Sequence, residues 1–203
     1  MPKQLQPIEL QFIDKYLKES GVRYDDIRYE MTDHVATAIE EMDGDFNENF
    51  RSYMINHKKE LMDSNRAFKK LAWQKAFGII NKNLVSYTLA VTTGIIFLSS
   101  YIASSFLGAE NIADNLHITM LLMASFMYLA FLYYKSFSKA SHSVIDRLLT
   151  IVYIGSIFIR LDNYIENPVS IMLYYSFMIA FFIVLIQSLW KLKQHYKLRY
   201  NGY

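Results

Sequence analysis

Three long runs without a charged residue govern what this 203-residue chain can fold into. Positions 83–109 hold 27 consecutive uncharged residues, 115–134 hold 20 and 167–190 hold 24. A hydrocarbon layer about 30 Å thick takes roughly 20 helical residues to cross. In lipid, every backbone amide must find its partner inside the segment, which a helix achieves. Each run therefore predicts a transmembrane helix. A fourth apolar stretch, LLTIVYIGSIFI at 148–159, has only 12 uncharged residues, set between Arg147 and Arg160. It reaches spanning length, about 143–164, if Arg160 snorkels to one interface while Asp146 and Arg147 sit at the other.

The charges between these runs alternate. Positions 58–82 carry seven Lys/Arg (Lys58, Lys59, Arg66, Lys69, Lys70, Lys75 and Lys82) against two acids. The connection 108–114 has Glu110 and Asp114 with no base, whereas Lys135, Lys139 and Arg147 follow the second run. RLDNYIENP has one base and two acids after Arg160 is counted, and the tail has Lys191, Lys193, Lys197 and Arg199 with no acid. Positive segments stay on the cytoplasmic side, so this alternation predicts four crossings with both termini cytoplasmic. Trp190, Tyr133, Tyr134 and Tyr164 fall where interfacial aromatics belong. The fold class expected is all-α: an integral membrane four-helix bundle, with spans at about 84–107, 115–134, 143–164 and 168–190, preceded by a small cytoplasmic helical domain. Residues 1–20 lack the apolar core of a signal peptide, so the first span is expected to act as an uncleaved anchor.

The first 57 residues carry six bases and twelve acids, a net of −6, and predict a three-helix acidic module, the head. Pro7 suits a first helical turn and Gly21 an exit. Ile27, Met31, Val35, Ala38, Ile39 and Met42 recur at the helical period, with Arg28, Glu30, Glu40 and Glu41 mostly off that stripe and Asp25 and Asp26 favouring its N-terminal end. Phe46, Phe50, Tyr53, Met54 and His57 mark a third helix. So small a core is marginal alone, and the stripe offers a docking face for a cytoplasmic protein through Ile27, Met31, Asp33, His34 and Ile39. Positions 58–82 read as a basic amphipathic connecting helix that sets Lys69, Lys70, Trp73 and Lys75 on an anionic membrane surface; residues 191–203 form a basic cytoplasmic tail.

Chemistry finds little purchase. With no Cys, thiolate metal sites and cysteine nucleophiles are excluded, and a net charge of +2 is too small for a nucleic-acid binder. Asp43-Gly44-Asp45-Phe46-Asn47-Glu48 lacks the glycine and the terminal glutamate of a calcium loop and reads as a turn with an N-cap. Glu30 and His34 share a helix face without a third metal ligand. No phosphate-binding, dinucleotide-binding, zinc-protease or nucleophile-elbow motif occurs. We therefore expect no catalytic, cofactor-binding or metal-binding residues, no cofactor and no enzyme. Asp114, His117, Arg160 and Glu166 gather near the outer face as a polar network. Ala90/Gly94 and Ser99/Ala103, with the small pair Gly155-Ser156, mark helix-packing faces, within one chain or in a homo-oligomer.

YDDIRYEMTDHVATAIEEM followed by DFNENFRSYM resembles the N-terminal helical signalling domain of bacterial membrane proteins associated with PadR-type regulators. The residues that carry the resemblance are Asp25, Asp26, Ile27, the Asp33-His34 pair, Ile39-Glu40-Glu41, Phe46 and Phe50, over about residues 8–60. It implies a bacterial inner-membrane protein with a cytoplasmic interaction module. The expectation is thus a non-enzymatic membrane protein with a regulatory or scaffolding head; the alternative is a small oligomeric transporter or channel lined by His117. A lipid-acting enzyme using His117, Asp114 and Glu166 is the least supported.

Overall fold

The computed structural model describes residues 4–137, 141–158, 165 and 167–200, and among them the chain is all-helical, with no strand. The helices are α1 (Pro7–Glu19), α2 (Asp25–Glu40), α3 (Phe46–Leu84), α4 (Tyr87–Leu107), α5 (Ala109–Phe137), α6 (Ser143–Phe158) and α7 (Pro168–Tyr200). Among the described residues, three helices are long and apolar enough to cross a membrane: α4, α5 over Ala109–Tyr134, and α7 over Pro168–Leu198.

Local chemistry sets the ends. Pro7 begins α1, and the Glu9 carboxylate accepts from the Gln6 amide at 2.6 Å, closing a first turn whose amides lack helical partners. Asp45 caps α3 by accepting from the Asn47 amide at 2.9 Å. Gly108, at φ +88°, is the single residue between α4 and α5, a conformation that a side chain would strain. The acidic loop expected at 108–114 is therefore one residue long: Glu110 and Asp114 lie in the first turns of α5, where carboxylates suit the positive helix end.

The third helix does not stop near His57. No Gly or Pro interrupts the sequence between Phe46 and Phe77, and α3 runs unbroken for 39 residues, about 58 Å at 1.5 Å per residue. Its first part packs Phe46, Phe50, Met54 and Leu61 with Ile13, Leu17, Ile27, Met31, Val35 and Ile39 of α1 and α2. Its second part gives Ala72 and Ala76 to a separate core with α5, α6 and α7. Small residues there let α6 approach closely. Asn83, near the C-terminal end, exchanges two hydrogen bonds with Ser188 of α7 (3.0 and 3.2 Å).

Ring and core contacts fix the order along the bundle. Leu89 of α4 packs with Ala180 and Val184 of α7, and Ile112 and Ala113 of α5 pack with Met172. The far end of the bundle thus holds the start of α5 and of α7. At the opposite, head-side end, His142 stacks on Tyr196, and Tyr153 of α6 stacks on Phe131 and Tyr128 of α5. The helix α6 starts at the head-side end and runs antiparallel to α5.

Of the stretch 143–164, residues 143–158 are described and form α6, 16 residues and about 24 Å long. Val144, Ile145, Leu148 and Leu149 in its first half are buried in the core that Ala72 and Ala76 share, not presented to lipid. Asp146 is buried and Arg147 half-buried where α6 meets the head. Positions 159–164, Arg160 among them, lie outside the described residues.

Candidate functional site

The polar groups converge where α2 meets residues 141–143 at the start of α6. Tyr24, Asp25 and Asp26 lead into α2, and all three reach across. The Asp25 amide donates to the Ser141 carbonyl at 2.8 Å, and the Ser141 amide donates back to Asp25 Oδ2 at 2.9 Å. Asp26 accepts from the Ser143 amide at 3.0 and 3.2 Å and from Ser143 Oγ at 2.7 Å. Tyr24 Oη donates to Asp146 Oδ2 at 2.7 Å. Ser143 is the first residue of α6, so its amide has no partner within the helix. Asp26, 117 residues away in sequence, supplies the carboxylate that a local N-cap would ordinarily provide.

The supporting shell explains why these carboxylates stay aimed. Buried Arg28 donates to Asp14 of α1 at 2.9 Å, to Asp25, and to the carbonyls of Val22 and Arg23 at 3.3 and 3.1 Å. The sequence pattern had put Arg28 off the apolar stripe; the side chain instead turns inward, because a guanidinium satisfied by two carboxylates and two carbonyls can be buried. Across the junction, Arg147 lies over the rings of Tyr24 (5.6 Å) and Trp73 (5.0 Å) and within 3.6 Å of Asp146, an arrangement favourable to a cation. Three elements, α2, α3 and α6, therefore meet on one guanidinium.

The turn is also pinned from the bundle side. The His142 amide donates to Tyr134 Oη, which donates to the His142 carbonyl at 3.2 Å. That carbonyl also accepts the first bond of α6, from the Asp146 amide at 3.1 Å. The imidazole lies flat on Tyr196, centroids 4.3 Å apart and 11° between planes. Burial pushes the His142 pKa below its ordinary value, against the upward pull of Asp26 and Asp25. Burial, with the Asp146 hydrogen bond and charge, pushes Tyr24 up to about 12, so its hydroxyl remains a donor at neutral pH.

The residues singled out by sequence divide. Ile27, Met31 and Ile39 are at most 3% exposed, buried in the core of the head; the expected docking stripe is spent inside the fold, packed with Ile13 and Leu17 of α1 and with Phe50 and Met54 of α3. Asp33 and His34 are exposed on the outward face of α2. Lys70 and Lys75 are exposed and Lys69 is half-buried, whereas Trp73 stacks on Phe77 and carries Arg147, so its ring serves the junction. His117 stacks on Tyr175 at 5.1 Å, Asp114 is exposed, and Arg160 and Glu166 lie outside the described residues. A groove of about 270 Å³ between α4 and α5 is lined by Ser99, Ser100, Ala103, Asn115 and Thr119 with two apolar residues, and not by His117. Among the described residues no group of three or more His, Asp and Glu could hold a metal ion.

In sequence, Asp25 and Asp26 read as partners of their own helix dipole, and Ser141, Ser143 and Tyr24 carry no local signal of the contact. Comparison with protein-family models, with curated proteins and with solved structures finds no match.

Two outcomes follow from the junction. Asp26→Ala leaves the buried Ser143 amide and hydroxyl without their acceptor and lowers stability by about 1–3 kcal/mol. The exposed control Asp33→Ala changes it by less than about 0.5 kcal/mol; thermal unfolding of the full chain in detergent reads both. Because Tyr24 holds its proton more tightly when docked, its contribution is complete below about pH 10, the ordinary tyrosine value. It disappears as the pH climbs to about 12. In such a titration, Tyr24→Phe abolishes that part of the alkaline loss.

Proposed function

We propose that this is a non-enzymatic integral membrane protein, regulatory or scaffolding, in which the acidic head of residues 1–57 receives a cytoplasmic protein and transmits its state to a four-crossing bundle. The observation that carries the reading is the double linkage of head to bundle. One continuous helix, α3, belongs to both cores, and the carboxylates of α2 cap α6. A change that moves α2 must break the cap, shift α6 with it or bend α3.

The fourth crossing is supported by the order of contacts. The start of α6 neighbours Tyr196, late in α7, whereas the start of α7 neighbours Ile112 and Ala113, early in α5. The chain between 143 and 168 must therefore travel the length of the bundle. With an even number of crossings, the basic segments 58–82 and 191–199 share one side, which the charge rule makes the cytoplasmic one, in a bacterial inner membrane. Lys70 and Lys75, exposed on α3, suit an anionic leaflet beside the head. The partner surface on this reading is the outward face of α2 with Asp33 and His34, since the apolar stripe is occupied. A homo-oligomer through α4 remains compatible with the exposed Ala90 and with Gly94, where an added Cβ meets no atom within 4 Å. The transporter reading has no comparable support, with His117 stacked on Tyr175.

Two measurements on the full chain in cells test the proposal together. Topology reporters fused after Lys139 and Tyr203 are expected to read cytoplasmic, and those after Ala113 and Asn163 external; a cytoplasmic signal at Asn163 contradicts the fourth crossing. A photo-crosslinking residue replacing His34 is expected to give one discrete adduct with a cytoplasmic protein that the same residue at Thr88, exposed on α4, does not give. The same adducts from both positions, or none from position 34, contradict the docking role.

A further inference from the structure

Polar side chains on a lipid-facing surface need a partner. The groove between α4 and α5, about 270 Å³, is bordered by Ser99, Ser100, Asn115 and Thr119, all on helices long and apolar enough to cross a membrane. We propose that this groove holds the headgroup of a phospholipid with a primary ammonium, of the phosphatidylethanolamine kind, in the leaflet away from the head. The inference goes beyond the head and its partner and shares with the reading above only the placing of α4 and α5 across a bilayer.

The hydrogen bonds along the groove select the ligand. Ser99 Oγ donates to the Ile96 carbonyl and Thr119 Oγ1 to the Asn115 carbonyl, each at 2.9 Å. A hydroxyl has one proton, so both oxygens are left as acceptors. Asn115 spends one N–H on the Asn111 carbonyl at 2.8 Å and keeps its Oδ1 and a second N–H. Ser99, Asn115 and Thr119 are exposed, and hydrocarbon offers them no donor, which is costly for a polar group. A ligand that fits brings several N–H or O–H donors, with an oxygen for the remaining Asn115 N–H. An ammonium beside a phosphate meets both demands.

Depth and charge agree. Ser99 and Ala103 lie eight and four residues before the end of α4 at Leu107, and Asn115 and Thr119 six and ten residues into α5. At 1.5 Å per residue the groove runs from about 6 to about 15 Å below the Gly108 tip, where a headgroup layer roughly 5–8 Å thick gives way to hydrocarbon. Glu110 and Asp114 are exposed at this end, Asp114 little more than a quarter turn round α5 from Asn115, and positions 108–114 hold no base. An ammonium is attracted there and an anionic headgroup repelled. A choline headgroup carries the same positive charge without an N–H, so the acceptors discriminate against it. The space is several times that of one water, and Ile112 and Leu116 in its lining give the first carbons of the lipid chains an apolar contact.

The N–H groups of such a headgroup can be replaced by methyls one at a time without changing its charge. The full-length protein is placed in nanodiscs with equal amounts of phosphatidylethanolamine, its N-methyl and N,N-dimethyl derivatives, phosphatidylcholine and phosphatidylglycerol, all with the same acyl chains. Mass spectrometry of the intact protein then identifies the lipid it retains. The expected result is a several-fold preference for the primary ammonium over choline, falling with each added methyl, and least retention of the anionic lipid. Thr119→Val, which keeps the shape and removes the hydroxyl, and Asn115→Leu are each expected to flatten the series. Ser125→Ala, exposed on α5 outside the groove, is expected to keep it. Equal retention of the five lipids, a preference for phosphatidylglycerol, or a series that survives both groove substitutions overturns the proposal. The wild-type series needs no variant and so decides the headgroup chemistry even where a substituted chain does not fold. Crosslinking from position 34 reads the head and the lipid series reads the groove, so the two readings fail separately.

Discussion

A helix that begins inside a protein leaves its first amides to be satisfied by something else. For α6 that something comes from the other end of the chain: Asp26 accepts from both the amide and the hydroxyl of Ser143, and Asp25 exchanges backbone and side-chain bonds with Ser141. Buried polar groups cost free energy when unpaired and contribute little net stability when paired. The four bonds therefore act mainly as a condition on arrangement. The apolar half can keep α6 capped only with the head in place, and the head can bury Asp26 only where Ser143 awaits it.

Around this contact the fold distributes its charges so that each is answered. Arg28 holds Asp25 and Asp14 on the head side, and Arg147 answers Asp146 while lying between the rings of Tyr24 and Trp73. Meanwhile α3 fixes the distance between the two cores, as one uninterrupted helix with Leu61 in the first and Ala72 in the second. A rod and a latch at its side together resemble a lever: movement of α2 relative to α3 must be felt at the start of α6.

Much of this architecture was legible in residue order. The uncharged runs locate α4, α5 and α7, because a membrane-length helix is written as composition over about 20 positions. Ile27, Met31, Val35 and Ile39 announced a buried helix face by period alone, and Pro7, Gly21 and Asp45 fell at helix ends as their backbone preferences require. The errors have physical causes. A change from acidic to basic surface near His57 suggested a break in α3, yet surface charge does not stop a helix, and no breaker residue was present. The stripe on α2 was read as both core and docking face, though one apolar face cannot serve two partners at once. The junction itself carried no local signal. Asp25 and Asp26 look like ordinary first-turn acids, and Ser141 and Ser143 like a polar turn; only the folded chain brings them together.

The central claim is that the head caps α6, and the exchange of individual amide protons tests it most directly. In the full-length protein in lipid nanodiscs at neutral pH, the amides of Ser141 and Ser143 are predicted to exchange as slowly as those of Met31 and Val35 in the core of the head, and Asp26→Ala to release Ser143 first. Exchange of Ser141 and Ser143 at the rate of an exposed turn, unchanged by loss of the Asp26 side chain, would contradict the account.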